Sequence, residues 1–421
     1  MDKTELVERV KHLFELSGHK VETSVVINHT EIDVVAEELH GLVRKTILIE
    51  CTEEKRVGVP KMRKDAEKLR AAMNQLGTAS VPMHVALRTY TSQARGYARS
   101  NNIDSYTLQE LEARLVNFDE YIKAVETDPI REVILGEYQQ TRLHFEGNRE
   151  DKLPAFQFFD EWLKRDERWL TVLGDYGVGK SWMLRRLLYR LLDIFKESPS
   201  DSMLPFFVPL QKFTKAFDLD TLFLATFSGY GLSGVHLDAF KYLVNSGRIL
   251  FLYDSFDEMA QSLSRSVLRE NLEQLLLAVQ GPSKAIMTSR PTYFESRAER
   301  LMVSQPTQDS SVHRHDQIVS KRQAAMSRFI EEHVTTTQFA RLNDLSADQR
   351  KRLFGIVLRG NSEAKIALEG LFSRFGELES ISQRAVMARL LTTVAETLAS
   401  NAQATTPDGY PLLPVICFSG K

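Results

Sequence analysis

WLTVL at residues 169–173 runs directly into Gly174-Asp175-Tyr176-Gly177-Val178-Gly179-Lys180-Ser181, and this junction decides the fold. The apolar run reads as a buried strand and the stretch after Ser181 as a helix. Between them the residues match G-x-x-x-x-G-K-[ST] in the strand-then-helix setting which that motif requires. Glycines let the backbone turn tightly and aim several N–H groups inward, making an anion nest at a helix N-terminus. Lys180 would place a point charge on the β- and γ-phosphates of a nucleotide, and the Ser181 hydroxyl would ligate Mg2+.

Moving outward, Arg248-Ile249-Leu250-Phe251-Leu252-Tyr253-Asp254 is a second buried strand ending in a carboxylate, and Asp254 is the candidate metal ligand. Asp257 and Glu258 follow it. They either position or deprotonate the attacking water, or form an acidic helix start favoured by the dipole. Ala285-Ile286-Met287-Thr288-Ser289-Arg290-Pro291 is a third core strand, whose end should face the same crevice. Arg290 either senses the γ-phosphate or is a surface arginine. No N-K-x-D guanine reader is present, so adenine is the expected base. From Phe156 to about Phe294 strands alternate with helices, which predicts an α/β domain with a doubly wound parallel sheet.

The whole chain has 421 residues, 43% apolar and 26% charged, which excludes a disordered or fibrous protein and predicts two or three domains. Lys plus Arg number 54 against 56 Asp plus Glu, so the total charge of -2 advertises neither nucleic acid nor membrane. Two cysteines, Cys51 and Cys417, cannot build a disulfide framework, and no apolar run is long enough to span a bilayer. A cytoplasmic protein with no membrane partner is expected. The predicted divisions are an N-terminal α/β domain at 1–117, a helical linker at 118–152, the nucleotide domain at 153–315 and a helical region at 316–421. Residues 305–315 read as polar and mobile, and the final twenty as irregular.

In the N-terminal part, a helix with Leu6, Val10, Leu13 and Phe14 on one face precedes three β-branched runs, VETSVVI, EIDVVAE and KTILIEC. Asp33 on one strand and Glu50 on the next are natural ligands for a divalent metal in a phosphodiesterase. Glu8 is a weaker third acid. A helix at Pro60–Leu76 carries Met62, Ala66, Leu69 and Met73 on its core face. Lys61, Lys64 and Lys68 form a separate stripe, read either as a solvated face or as a contact for DNA phosphates.

GDYGVGKS, GRILFLYDSFDE and IMTSRP, in that order, resemble the NACHT class of signal-transduction ATPases with numerous domains. In that family the second motif has the form D-G-x-D-E, and Ser255 occupies its glycine position here. The segment Ala340–Phe354 is similar to the family's helical lid. The N-terminal pattern, I-D and then a strand ending E-C, resembles the Mrr-like group of the restriction-endonuclease fold, supported by LRTYTSQARGYA at 87–98. There Thr52 occupies the family's lysine position, and Lys55, three residues on, would face the other way. The resemblance implies an ATP/ADP switch that self-associates on activation, often in defence against phage. Its usual winged-helix and repeat segments are absent as far as Lys421, which implies a shortened form or a separate sensor protein. The expected activity is ATP binding and hydrolysis with Mg2+, coupled to DNA restriction by a nuclease-fold effector using Mg2+ or Mn2+ at Asp33 and Glu50. The alternative is an inactive DNA-binding regulatory module attached to an ATPase.

Overall fold

The computed structural model describes residues 2–40, 43–76, 80–145, 152–232, 235, 237–279, 281–291 and 338–403. The expectations for residues 305–315, for the last eighteen residues and for Cys417 therefore fall outside the described residues. The chain forms two compact units. One holds Met1–Ala124, Ile194–Leu204 and Asp220–Ile249; the other holds Val125–Asp193, Pro205–Leu219 and the residues from Leu250 onward.

The first unit begins with α1 (Lys3–Leu16), whose start is fixed by a capping box between Asp2 and Glu5. A five-stranded sheet follows in the order β1 (Lys20–Ile27), β2 (Thr30–His40), β3 (Val43–Thr52), β4 (Ser80–Ala86), β5 (Asp104–Thr107). Its first three strands are antiparallel and its last three parallel. Asn28 and His29 turn β1 into β2 with φ of 49° and 58°, the left-handed pair that a two-residue hairpin needs.

Strand alternation then divides the core. Val34, Ala36, Ile47, Ile49 and Cys51 pack with Leu6, Val10, Leu13 and Phe14 of α1. Leu48 and Val35 pack on the other face, with Met62, Ala66, Leu69 and Ala72 of α2 (Val59–Leu76) and Ala94 and Ala98 of α3 (Ser92–Ser100). This matches the core face expected for α2, with Met73 only partly buried against the cluster. The alanines let the helix approach the sheet closely, which brings its longer side chains within reach of the strand ends. The short helix α4 (Leu108–Ala113) and α5 (Asp119–Glu126) follow. Tyr242, on the helix Leu237–Asn245, donates its hydroxyl to Glu112 at 2.7 Å and lies under Arg9 of α1.

The second unit is built on a seven-stranded sheet in the order β7 (Leu153–Pro154), β6 (Arg142–Phe145), β12 (Gln338–Leu342), β8 (Trp169–Leu173), β11 (Lys284–Ser289), β10 (Ile249–Asp254), β9 (Leu204–Pro209). β12, β8, β11 and β10 run parallel, whereas β6 is antiparallel to β12 and β7 to β6. Every residue of β8, β10 and β11 is buried, as expected for strands covered on both faces. Residues 118–152, read from sequence as a helical linker, hold α5, α6 (Ile130–Glu137) and β6, so that stretch also feeds the large sheet. β12 lies beyond the boundary at 315 and extends the sheet from a stretch read as helical. Helices α7 (Ala155–Leu163) and α8 (Lys180–Glu197) flank the central strand in sequence. Helices Ala347–Val357, Ser362–Arg374 and Ala385–Gln403 pack through Leu353, Leu358, Leu368, Leu391 and Ala395.

Candidate functional site

The loop after β8 has the backbone that its sequence demands. Gly177 and Gly179 take φ of 79° and 100°, where any side chain is strained. A Cβ on Gly174 would meet Val178 Cγ1 at 2.7 Å. Lys180 Nζ donates to the carbonyls of Gly174 at 2.7 Å and Asp175 at 3.2 Å. Burial lowers the Lys180 pKa, against the charges of Asp257 and Asp254.

Strand order brings the other residues to this loop. β11 lies between β8 and β10, so the Asp254 strand is one removed from the loop's own. Thr288 spans that step: its hydroxyl donates to Asp254 Oδ1 at 2.9 Å and accepts the Ser255 N–H at 3.0 Å. Sequence reading passed over Thr288, although a buried threonine at a strand end beside an acid was the available signal. Burial raises the Asp254 carboxyl, opposed by hydrogen bonds from Thr288 and Ser181. Such a group suits a cation that restores its lost solvation.

Asp257 is buried and pairs with Arg290 at 2.7 Å, and Arg290 lies over the Tyr176 ring at 5.2 Å. Glu258 is exposed, and burial followed by the charges of Asp257 and Asp254 raises its pKa. The helix Ala385–Gln403 also reaches the loop: the Val386 N–H donates to the Gly177 carbonyl at 3.0 Å, and Arg384 lies 3.8 Å from Asp175.

The first unit brings a second group together. The β2–β3 ladder runs to Val34↔Ile49, so Asp33 and Glu50 are the next residue on each strand. Asp33 Oδ2 accepts the Cys51 N–H at 2.8 Å, and Oδ1 pairs with Lys3 of α1 at 2.9 Å. Glu50 has no exposed surface; its Oε2 accepts from Lys68 of α2 at 3.0 Å, while Oε1 has no partner among the described residues. Burial, then the Asp33 charge, pushes the Glu50 carboxyl up to about 7. A buried carboxylate oxygen without a donor, beside a second carboxylate, fits a divalent cation.

The lysine stripe of α2 is thus split. Lys68 serves Glu50, Lys61 pairs with buried Asp65 at 2.9 Å, and Lys64 is exposed. Beneath them, buried His84 lies 2.8 Å from Asp65 and 2.9 Å from the Tyr90 hydroxyl. Glu8 is exposed and pairs with Lys11, and Lys55 is exposed beyond the end of β3. No group of three metal-ligating side chains occurs among the described residues, so this site rests on two carboxylates.

Comparison with known proteins adds the families. Residues 168–360 match the model of the NACHT domain, and residues 1–115 match a restriction endonuclease model of the Mrr type. The chain joins an Mrr-like restriction-endonuclease domain to a NACHT domain. Over 160 residues it is 26% identical to an uncharacterized WD repeat-containing protein of Nostoc sp., a match covering 37% of this chain and 10% of that one. The chain therefore spans about a tenth of that relative's length. A solved protein of unknown function is 19% identical, covers 31% of this chain and 74% of its own, and has a TM-score of 0.23. A repair endonuclease from Pyrococcus abyssi is 12% identical, covers 26% and 47%, and has a TM-score of 0.22.

In the NACHT domain, Ser255 occupies the family's glycine position at φ 63°, the left-handed conformation that explains why glycine is usual there. In the Mrr-like domain, Thr52 is 3% exposed on the strand face of Glu50 and brings no charge to it. No helix among the described residues is long and apolar enough to cross a membrane.

Proposed function

We propose that the NACHT domain is an ATP-hydrolysing switch and the Mrr-like domain its metal-dependent DNA-cleaving effector, acting in a cytoplasmic defence against phage. What supports the switch is the meeting of the 174–181 loop, Asp254 and Thr288 at the carboxyl ends of β8, β10 and β11. In this reading Lys180 exchanges the Gly174 and Asp175 carbonyls for β- and γ-phosphate oxygens. Ser181 and Asp254 would hold Mg2+, which when bound would offset charge on the phosphates. Glu258, exposed and with a raised pKa, orients or deprotonates the attacking water. Asp257 holds Arg290 toward Tyr176 until a γ-phosphate competes for the guanidinium.

The helix Ala385–Gln403, bonded to Gly177, would shift with nucleotide state and drive self-association, with a separate sensor supplying the trigger. In the effector, Asp33 and Glu50 would hold Mg2+ or Mn2+, and the ion when bound would supply Lewis-acid chemistry to water and the phosphodiester. Thr52 favours a second reading, an uncut DNA complex in which the nuclease fold only binds.

Sedimentation and a plasmid-cleavage assay with ATP and Mn2+ test both. The wild type should assemble and cut, Lys180→Ala should do neither, and Asp33→Ala should assemble without cutting. Assembly unchanged in Lys180→Ala would refute the switch. DNA bound but never cut by the wild type would favour the second reading.

A further inference from the structure

Lysine at the Thr52 position would stand on the Glu50 face of β3, two residues on, with its ammonium beside the carboxylates. Threonine there leaves two acids facing a polyanionic substrate without that charge. A buried glutamate with an unpartnered Oε1, next to a second acid, is costly to leave ionised unless cations attend it. The fold provides one from elsewhere. Helix α2 lies over the face that Leu48, Glu50 and Thr52 share, held close by Ala66, Leu69 and Ala72. From it Lys68 reaches Glu50 Oε2 at 3.0 Å with 32% of its side chain still exposed. That opening leaves the ammonium hydrated and within reach of a phosphodiester arriving from solvent.

We propose that Lys68 supplies the positive charge that Thr52 cannot, so that Asp33, Glu50 and Lys68 form the working set of the Mrr-like domain. This rests on the nuclease reading above. In the step, a water oxygen forms a bond to phosphorus and releases a proton to solvent, and the phosphorus–oxygen bond to one sugar breaks. The leaving oxygen takes a proton from solvent, giving an alcohol and a phosphate monoester. The Lys68 ammonium stabilises the negative charge that builds on the non-bridging oxygens. Lys3 is not equivalent: it reaches Asp33 from α1, on the opposite face of the sheet.

Three measurements on full-length wild type, Lys68→Met and Lys68→Arg separate this from a structural ion pair. Plasmid cleavage with Mn2+ and ATP should fall at least about 100-fold in Lys68→Met and less in Lys68→Arg, which keeps the charge. DNA affinity, read by fluorescence anisotropy with Ca2+, should change by less than about threefold, since one phosphate contact among many is lost. Mn2+ affinity by calorimetry should tighten on the order of tenfold in Lys68→Met, because a competing cation has left Glu50.

Undiminished cleavage by Lys68→Met overturns the proposal, as does unchanged Mn2+ affinity. Loss of cleavage together with Mn2+ and DNA binding shows a structural pair only, and overturns it too. A wild type that binds Mn2+ with Lys68-dependent affinity yet never cuts DNA refutes the nuclease reading itself, and the catalytic role of Lys68 with it.

Discussion

The nucleotide crevice and the carboxylate site both bring acids and a lysine together, the first at the ends of parallel strands and the second across the antiparallel pair β2 and β3, but they are assembled differently. In the crevice the cation belongs to the motif: Lys180 lies one residue from Gly179, and its position follows from a backbone that only glycine adopts easily. In the carboxylate site the cation arrives from α2, eighteen residues after Glu50, and is placed by the helix packing on the sheet. A site written in consecutive residues tolerates little change in sequence. One assembled by packing can lose a charge at position 52 and regain it from position 68.

The sharpest break in this comparison is expected at the crevice. Asp254→Asn keeps the shape and the Thr288 contact but removes the charge that would hold the metal. Phosphate release from ATP should fall roughly 100- to 1,000-fold. A fall under tenfold would mean that Asp254 is only a buried partner of Thr288.

How much was legible follows the same division. WLTVL with GDYGVGKS gave strand, loop and helix because each is encoded in neighbouring residues. The alternation of VETSVVI, EIDVVAE and KTILIEC gave β1 to β3 for the same reason. The places of β6 and β12 in the large sheet were not legible, since RLHF and QFARL are short and carry charges. Lys68 was visible only as one of a stripe, because its partner depends on how α2 docks. Arg290 could not be assigned from its strand alone, and its pairing with Asp257 is a tertiary fact.

A middle-sized effect tests the carboxylate site through pH. The Glu50 carboxyl rises from 4.5 to about 7 on folding, so folding takes up a proton between those values. Its favourable contribution is complete below about 4.5 and is lost as pH rises through about 7. Glu50→Gln stays neutral, so in EDTA it should be more stable than wild type by about 2 kcal/mol at pH 8 and equal to it near pH 4.5. Denaturant titrations at the two pH values check this; a gap that does not grow with pH contradicts it.

The smallest effect sharpens the crevice's local character. Ser255 adopts φ 63° and its side chain makes no capping bond to the helix Phe256–Gln261. Ser255→Gly should therefore stabilise the chain by about 1 kcal/mol, seen as a rise in Tm of a few degrees. A lower Tm would mean that the 3.5 Å contact with Ser181 outweighs the backbone strain.

Isothermal titration of ATP and Mg2+ into the full chain, beside Lys180→Ala, tests the nucleotide crevice most directly. The account predicts saturable uptake at one site, weakened at least about 100-fold when the ammonium is removed. Heat indistinguishable from buffer in the wild type, or equal affinity in both proteins, would contradict it.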